Sequence, residues 1–227
     1  MIGIYDYTVI LTYLSLLSGM SGIIIATSGF GHPYIGCIFL LFSGLCDTFD
    51  GIVARSKANR TEEEKTYGVQ IDSLSDLVAF GVLPGAIAVG LFTSGGREFR
   101  VLDPSGRVQL YPIIFFCAVL VYVLAALIRL GYFNMLEITG QGTDENGKKR
   151  FIGLPVTSAA LIFPMILLLN HLTVRDFSLI YFLALPVMSL LFLGRFSIKK
   201  PSKRMIGLLL LVGLIEFLLL LFTRMGD

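Results

Sequence analysis

Charge is scarce in this chain. Of its 227 residues only 15% are Asp, Glu, Lys or Arg and 55% are hydrophobic, giving a mean hydropathy of +0.81. A surface solvated by water on all sides needs more polar cover than that, so a soluble globular domain is excluded. The formal net charge of +2 shows no basic footprint for nucleic acid. Cysteine is equally sparse: Cys37, Cys46 and Cys117 all fall inside apolar runs, where a thiol behaves as a small hydrophobe, so neither a disulfide framework nor a zinc site is suggested. No basic flank precedes the first apolar run and no small-residue cleavage site follows it, so that run is read as a retained span and not a signal peptide. An inverted repeat of the kind many secondary transporters carry is also missing.

What the chain has in quantity is apolar sequence long enough to cross a hydrocarbon core of about 30 Å, which takes roughly 20 helical residues. Such runs lie at about 7–28, 34–55, 69–93, 111–134, 153–171, 177–194 and 204–223. The Gly-rich stretch 93–107 and the polar stretch 139–150 read as connections between them. The expected fold is all-α, a polytopic transmembrane helix bundle forming a single domain over 1–227. Its core covers about 7–194, with one further carboxy-terminal span at about 204–223 that carries Glu216. Lys and Arg number twelve in the loops that share a side with the amino terminus and five on the other side, with Arg129 inside a span. The positive-inside bias therefore puts the amino terminus, and the loop after the second span, in the cytoplasm.

Four acids break the apolar pattern. Asp47 and Asp50 lie near the end of the second span, and Asp72 and Asp76 near the start of the third. Spacings of three and four place each pair on one helix face. Both pairs adjoin the same loop, so two antiparallel helices can bring all four carboxylates together. Helix capping would explain one acid per helix start, but Asp47 and Asp50 stand at a carboxyl end, where the macrodipole disfavours them. Four adjacent negative charges in a low dielectric call for cations. Hard oxygen ligands favour Mg²⁺, Mn²⁺ or Ca²⁺ over zinc, and a cluster that leaves room for phosphate suits Mg²⁺ best. Two ions per site could clamp a diphosphate. Gly51 and Gly68 cost helix propensity on the same turns, for close approach of a ligand or for helix packing. Arg55 offers a fork of donors to phosphate oxygens or serves as a positive-inside anchor.

Written out, Asp47-Thr-Phe-Asp50-Gly51-Ile-Val-Ala54-Arg55, twelve residues and Gly68-Val-Gln-Ile-Asp72-Ser-Leu-Ser-Asp76 resembles the complete signature of the CDP-alcohol phosphotransferase family. The resemblance implies a bundle of six core transmembrane helices, a homodimer, and a polar cavity open to the cytoplasm. By position, Asp47, Asp50 and Asp72 would be metal ligands. Asp76 would help hold a second Mg²⁺ or Mn²⁺ and act as general base on an acceptor hydroxyl. Gly51, Ala54, Arg55 and Gly68 would line the site for the CMP moiety, with Thr12 and Ser15 of the first span on its polar wall.

The continuation through Pro84, then Arg129-Leu-Gly-Tyr-Phe-Asn134 and Arg150-Phe-Ile-Gly-Leu-Pro155, is similar to the integral-membrane phosphatidylserine synthases. This likeness runs from about Gly44 to Ala160. It implies CDP-diacylglycerol and L-serine as substrates at a multi-pass protein of the cell membrane. The chain departs from that subgroup at Tyr132, where a second arginine is usual, and at Ser15, where an asparagine is usual. Serine brings a carboxylate, so its pocket needs a cation. Arg129, inside an apolar span, is the first candidate for that carboxylate or for the lipid phosphate, Arg150 is the second, and Asn134 can add hydrogen bonds. His32 and His171, at the far ends of spans, receive no role. Rival readings are the same chemistry with glycerol 3-phosphate or inositol phosphate, and a cation transporter, whose acids would be spread across the bilayer depth.

Overall fold

The computed structural model describes residues 3–28, 32–94, 108–139, 150–172, 178–199 and 203–225. It is a polytopic bundle of apolar helices. In chain order these are α1 (Ile10–Ser28), α2 (Tyr34–Ser56), α3 (Glu62–Asp76), α4 (Leu83–Ser94), α5 (Leu110–Thr139), α6 (Ala159–Leu172), α7 (Ser178–Leu193) and α8 (Lys203–Met225). A π-helical segment, Leu77–Val82, joins α3 to α4 without a break. Each of the seven expected spans corresponds to an apolar helix. Five are long and apolar enough to cross a membrane, whereas the helices over Val156–Leu169 and Leu179–Leu193 are shorter. Most of 93–107 and 139–150, expected as connections, falls outside the described residues.

The third span starts seven residues earlier than its apolar run. Thr61 and Glu64 close a capping box: the Glu64 N–H donates to Thr61 Oγ1 at 3.2 Å and the Thr61 N–H to Glu64 Oε2 at 3.0 Å. Three glutamates in the first turn favour the positive end of the helix dipole. The cap, and not the lipid boundary, therefore sets the helix start. The continuous helix Glu62–Ser94 has 33 residues, a length of about 50 Å at roughly 1.5 Å per residue. It thus overshoots the hydrocarbon core at the α2–α3 end. The fifth span starts later than its run, because Gly153 adopts φ +74° and Pro155 is extended ahead of a 3₁₀ turn, Val156–Ser158. The Gly153 N–H donates to the Phe196 carbonyl at 2.8 Å. Beside this turn a short antiparallel pair, β1 (Arg150–Ile152) and β2 (Ser197–Lys199), clasps the segment before α6 to the segment after α7.

Small residues let α1 lie in the groove between α2 and the α3–α4 helix. A methyl at Gly19 would stand 3.0 Å from the Ala79 Cα, so the two backbones nearly touch. Ser15 and Ser43 exchange hydroxyl-to-carbonyl hydrogen bonds at 3.4 and 3.0 Å, and Ser18 donates to the Phe39 carbonyl at 2.8 Å. On the other side of the α3–α4 helix, α5 packs against the π segment and α7. Leu120, Leu124 and Leu127 of α5 and Leu208, Leu211 and Leu214 of α8 stay exposed, as side chains solvated by lipid do. Glu216 is buried where α8 packs on α2 and α6, and neither carboxyl oxygen has a hydrogen-bond partner among the described residues.

The π segment has an identifiable cause. Pro84 has no N–H to give the carbonyl four residues back, that of Phe80. The Tyr122 hydroxyl of α5 donates to that oxygen instead, at 2.7 Å, and the Tyr181 hydroxyl of α7 donates to the Pro84 carbonyl at 3.0 Å. Both tyrosines are fully buried. The widened turn lets Asp72 and Asp76 face α2 while Ala79, Phe80 and Leu83 stay in the core. Tyr122→Phe should therefore cost about 1–2 kcal/mol, read as a lower unfolding midpoint in a denaturing-detergent titration. Tyr132→Phe, at a half-exposed position, should leave the midpoint unchanged.

Candidate active site

The sequence places carboxylates on α2 and α3, and the fold brings them together. One carboxyl oxygen each from Asp47, Asp50 and Asp72 can be chosen so that all three lie within 4.8 Å of one another. Asp47 is in hydrogen-bonding reach of Asp76, and Asp50 of Asp72. Asp50 and Asp76 are buried, and Asp47 and Asp72 partly so. Two unit charges 4.8 Å apart repel by about 3 kcal/mol at an effective dielectric of about 20. The arrangement is therefore costly unless a cation sits among the oxygens. A donor set of carboxylate oxygens alone fits a hard divalent ion, and the first three aspartates are the ones placed to hold it.

A hydroxyl of α1 holds one of these acids, and two serines of α3 tie that helix to the neighbouring ones. Thr12 of α1 donates from Oγ1 to Asp50 Oδ2 at 3.2 Å, and its carbonyl accepts from Ser75 Oγ at 3.1 Å. Thr12 thus ties α1 to both helices that carry the aspartates. Ser73 donates to Asn134 Oδ1 at 2.9 Å, tying α3 to α5. Neither Ser73 nor Ser75 was singled out from sequence. The available signal was two hydroxyls alternating with aspartates in Asp72-Ser-Leu-Ser-Asp76, inside a helix where free hydroxyls are unwelcome.

Arg55 acts on Asp50 through its charge, and it lies over Gly51, where a methyl would stand 3.1 Å from Nη1. Gly68 is covered in the same way by Arg60, whose Nη2 would be 2.6 Å from that methyl. Ala54 is partly buried one turn beyond Asp50. Ser15 is one turn beyond Thr12, bonded across to Ser43. Arg129 is 6% exposed, with Nε unpartnered and its guanidinium carbon 5.4 Å from the Phe133 ring centroid. No described contact joins Arg129 to the aspartates. The antiparallel register through Ser73 and Asn134 nevertheless brings it toward the depth of Asp76, which lies three residues after Ser73 on α3, as Arg129 lies five residues before Asn134 on α5. Only the backbone of Arg150 is described, paired with Lys199 in the two-stranded clasp. His32 stacks on Tyr34 at the start of α2, away from the site.

Ahead of α1, the first residues are strapped to the rim of this site. Lys57 bonds Asp6 at 2.6 Å and Glu64 at 2.8 Å. The Tyr13 hydroxyl donates to the Ile4 carbonyl at 3.1 Å and lies 3.0 Å from the Tyr67 hydroxyl. The Lys57 ammonium holds the Asp6 carboxyl below its ordinary range, and Asp6, then Glu64, push the Lys57 ammonium up. A depressed carboxylate adds stability above its unfolded pKa and a raised ammonium below its own. The strap thus contributes fully between about pH 4 and pH 10, and its contribution is lost as pH falls through the lowered Asp6 pKa or rises through the raised Lys57 pKa.

Comparison with known proteins places similar sequences in one family. The model of the CDP-alcohol phosphatidyltransferase family matches residues 8–193. The archaetidylserine synthase of Methanothermobacter thermautotrophicus is 36% identical over 149 residues, 65% of this chain and 53% of that protein. The CDP-diacylglycerol–serine O-phosphatidyltransferase of Saccharomyces cerevisiae is 34% identical over 67% of this chain and 51% of its own. The Helicobacter pylori protein of that name is 28% identical over 74% of this chain and 60% of its own. The chain thus spans between about half and three fifths of the length of these relatives.

Because Thr12 orients the Asp50 carboxylate, one of the three placed to hold an ion, Thr12→Val should weaken Mn²⁺ binding about tenfold, the usual cost of losing such a partner. Titration calorimetry on the purified protein reads this directly. Thr12→Ser should restore wild-type affinity.

Proposed function

The chain belongs to the CDP-alcohol phosphatidyltransferase family, and from that premise we propose that it transfers a phosphatidyl group from CDP-diacylglycerol to the hydroxyl of L-serine, releasing CMP. The observation that carries this reading is the convergence of carboxyl oxygens from α2 and α3 within 4.8 Å. The names of its relatives, a serine O-phosphatidyltransferase and an archaetidylserine synthase among them, support serine as acceptor.

In this reading Asp47, Asp50 and Asp72, with Asp76, hold two Mg²⁺ or Mn²⁺ ions. When bound, such ions polarise the diphosphate and offset charge on the departing phosphate. Asp76, buried at the inner edge of the cluster, takes the proton from the serine hydroxyl as general base. The hydroxyl oxygen then bonds to the lipid-side phosphorus, and the bond from that phosphorus to the CMP oxygen breaks. Arg55, over Gly51, holds the CMP phosphate, with Ala54, Gly68, Thr12 and Ser15 completing that wall. Arg129 meets the serine carboxylate or the lipid phosphate from α5, and Asn134 and Arg150 are the further candidates for that pocket. Its buried, unpartnered Nε supports this assignment, because a desolvated donor gains most from a charged acceptor.

The wider reading is one membrane unit, with a core at about 7–194 and an added span at about 204–223, forming a homodimer with its site facing the cytoplasm. The end of the family match at residue 193 supports the division. The bias of Lys and Arg supports the orientation.

Purified protein given CDP-diacylglycerol, Mg²⁺ or Mn²⁺ and a panel of labelled alcohols should release CMP with serine. Release only with glycerol 3-phosphate or inositol phosphate would move the acceptor. No release with any alcohol, together with metal-driven cation flux in vesicles, would overturn the enzyme reading. Asp76→Asn should lower turnover by about 10²-fold or more while sparing CMP binding, as loss of a general base does. Arg129→Ala should raise the KM for serine far more than that for the CDP-lipid. Equal losses would assign Arg129 to the lipid phosphate or to structure.

A further inference from the structure

The signature residues include one arginine, Arg55, yet a second guanidinium stands in the same relation to the cluster. Arg55 lies over Gly51, next to Asp50 on α2. Arg60 lies over Gly68, four residues before Asp72 and so on the same face of α3. Both glycines leave room for this: a methyl would come within 3.1 Å of Arg55 Nη1 and 2.6 Å of Arg60 Nη2, so each guanidinium would have to shift.

The local fold gives Arg60 little reason to be there. Its Nη2 donates to the Glu64 carbonyl at 3.0 Å, an oxygen that already accepts the helical N–H of residue 68. Its Nε is buried with no hydrogen-bond partner. Of the three glutamates in the first turn, Glu64 pairs with Lys57 and Glu62 with Lys65, and among the described residues Arg60 makes no ion pair, with Glu63 or any other acid. It also directly precedes the amino-terminal end of α3, where the helix dipole disfavours a cation. A desolvated donor, an unpaired charge and an adverse dipole are all relieved by one class of ligand, a phosphate.

We propose that Arg60 is a further binding residue of this site, holding the phosphate of the CMP moiety from the α3 side as Arg55 does from the α2 side. The proposal rests on the CDP-lipid reading above and extends it to a residue outside the signature. It also gives Gly68 a definite task, which is to leave room for the Arg60 guanidinium.

The test is calorimetric titration of CMP into the purified protein with Mn²⁺ present, a readout independent of the acceptor and of turnover. Arg60→Ala should weaken CMP binding about tenfold, and Arg60→Lys less, since the charge remains but the fork is lost. Gly68→Ala should also weaken CMP binding, but should add nothing in the Arg60→Ala background, because the glycine acts through the arginine. If Arg60→Ala proves too unstable to purify, Arg60→Gln, which keeps a donor for the Glu64 carbonyl, carries the same expectation. CMP binding unchanged in these variants overturns the assignment of Arg60. A wild-type protein that binds no CMP overturns the CDP-lipid reading itself.

Discussion

Carboxyl oxygens from Asp47, Asp50 and Asp72 stand within 4.8 Å of one another at the end of an apolar bundle. Their mutual repulsion is the constraint to which the surrounding structure answers. It can be met in two ways: a cation among the oxygens would offset the charge, and a hydrogen bond from an adjacent helix keeps a carboxyl from swinging away. The second is visible in Thr12, whose hydroxyl holds Asp50 while its carbonyl holds Ser75. Because α1 approaches that closely only through small residues such as Gly19, the packing of an apolar helix is tied to the geometry of a polar site.

The same constraint accounts for the irregular turn just beyond Asp76. A helix that directs two aspartates at α2 and then must bury Ala79, Phe80 and Leu83 has to change register between these tasks. The π segment makes that change, Pro84 removes a backbone donor next to it, and Tyr122 supplies a replacement. Rigidity at the site is therefore set partly by aromatic residues of α5 and α7 that touch no aspartate. The acid that stands apart, Glu216, lies in the span beyond the family match and shares none of these supports.

Much of this was legible in the sequence. The seven apolar runs gave seven helices, because burying backbone in lipid leaves no alternative to helix. The spacing of Asp47, Asp50, Asp72 and Asp76 was enough to predict a shared face, since helix periodicity depends on nothing distant. The start of α3 was not found from hydropathy, because a capping box at Thr61 and Glu64 extends the helix into polar sequence. Ser73, Ser75 and Tyr122 were missed for a different reason. Their partners are 61, 63 and 42 residues away, and single-chain periodicity carries no information about which helices will be neighbours. Arg60 looked like one more loop cation until the fold laid it over Gly68.

The central claim is that the aspartates of α2 and α3 hold a divalent ion against the phosphate of a CDP-linked substrate. Electron–nuclear double resonance on Mn²⁺ bound to the purified protein tests it most directly. Addition of CMP should produce a ³¹P coupling on the bound Mn²⁺, and that signal should vanish in Asp50→Asn and Asp72→Asn. Bound Mn²⁺ that shows no ³¹P coupling with CMP, or a coupling that survives both substitutions, would contradict the account.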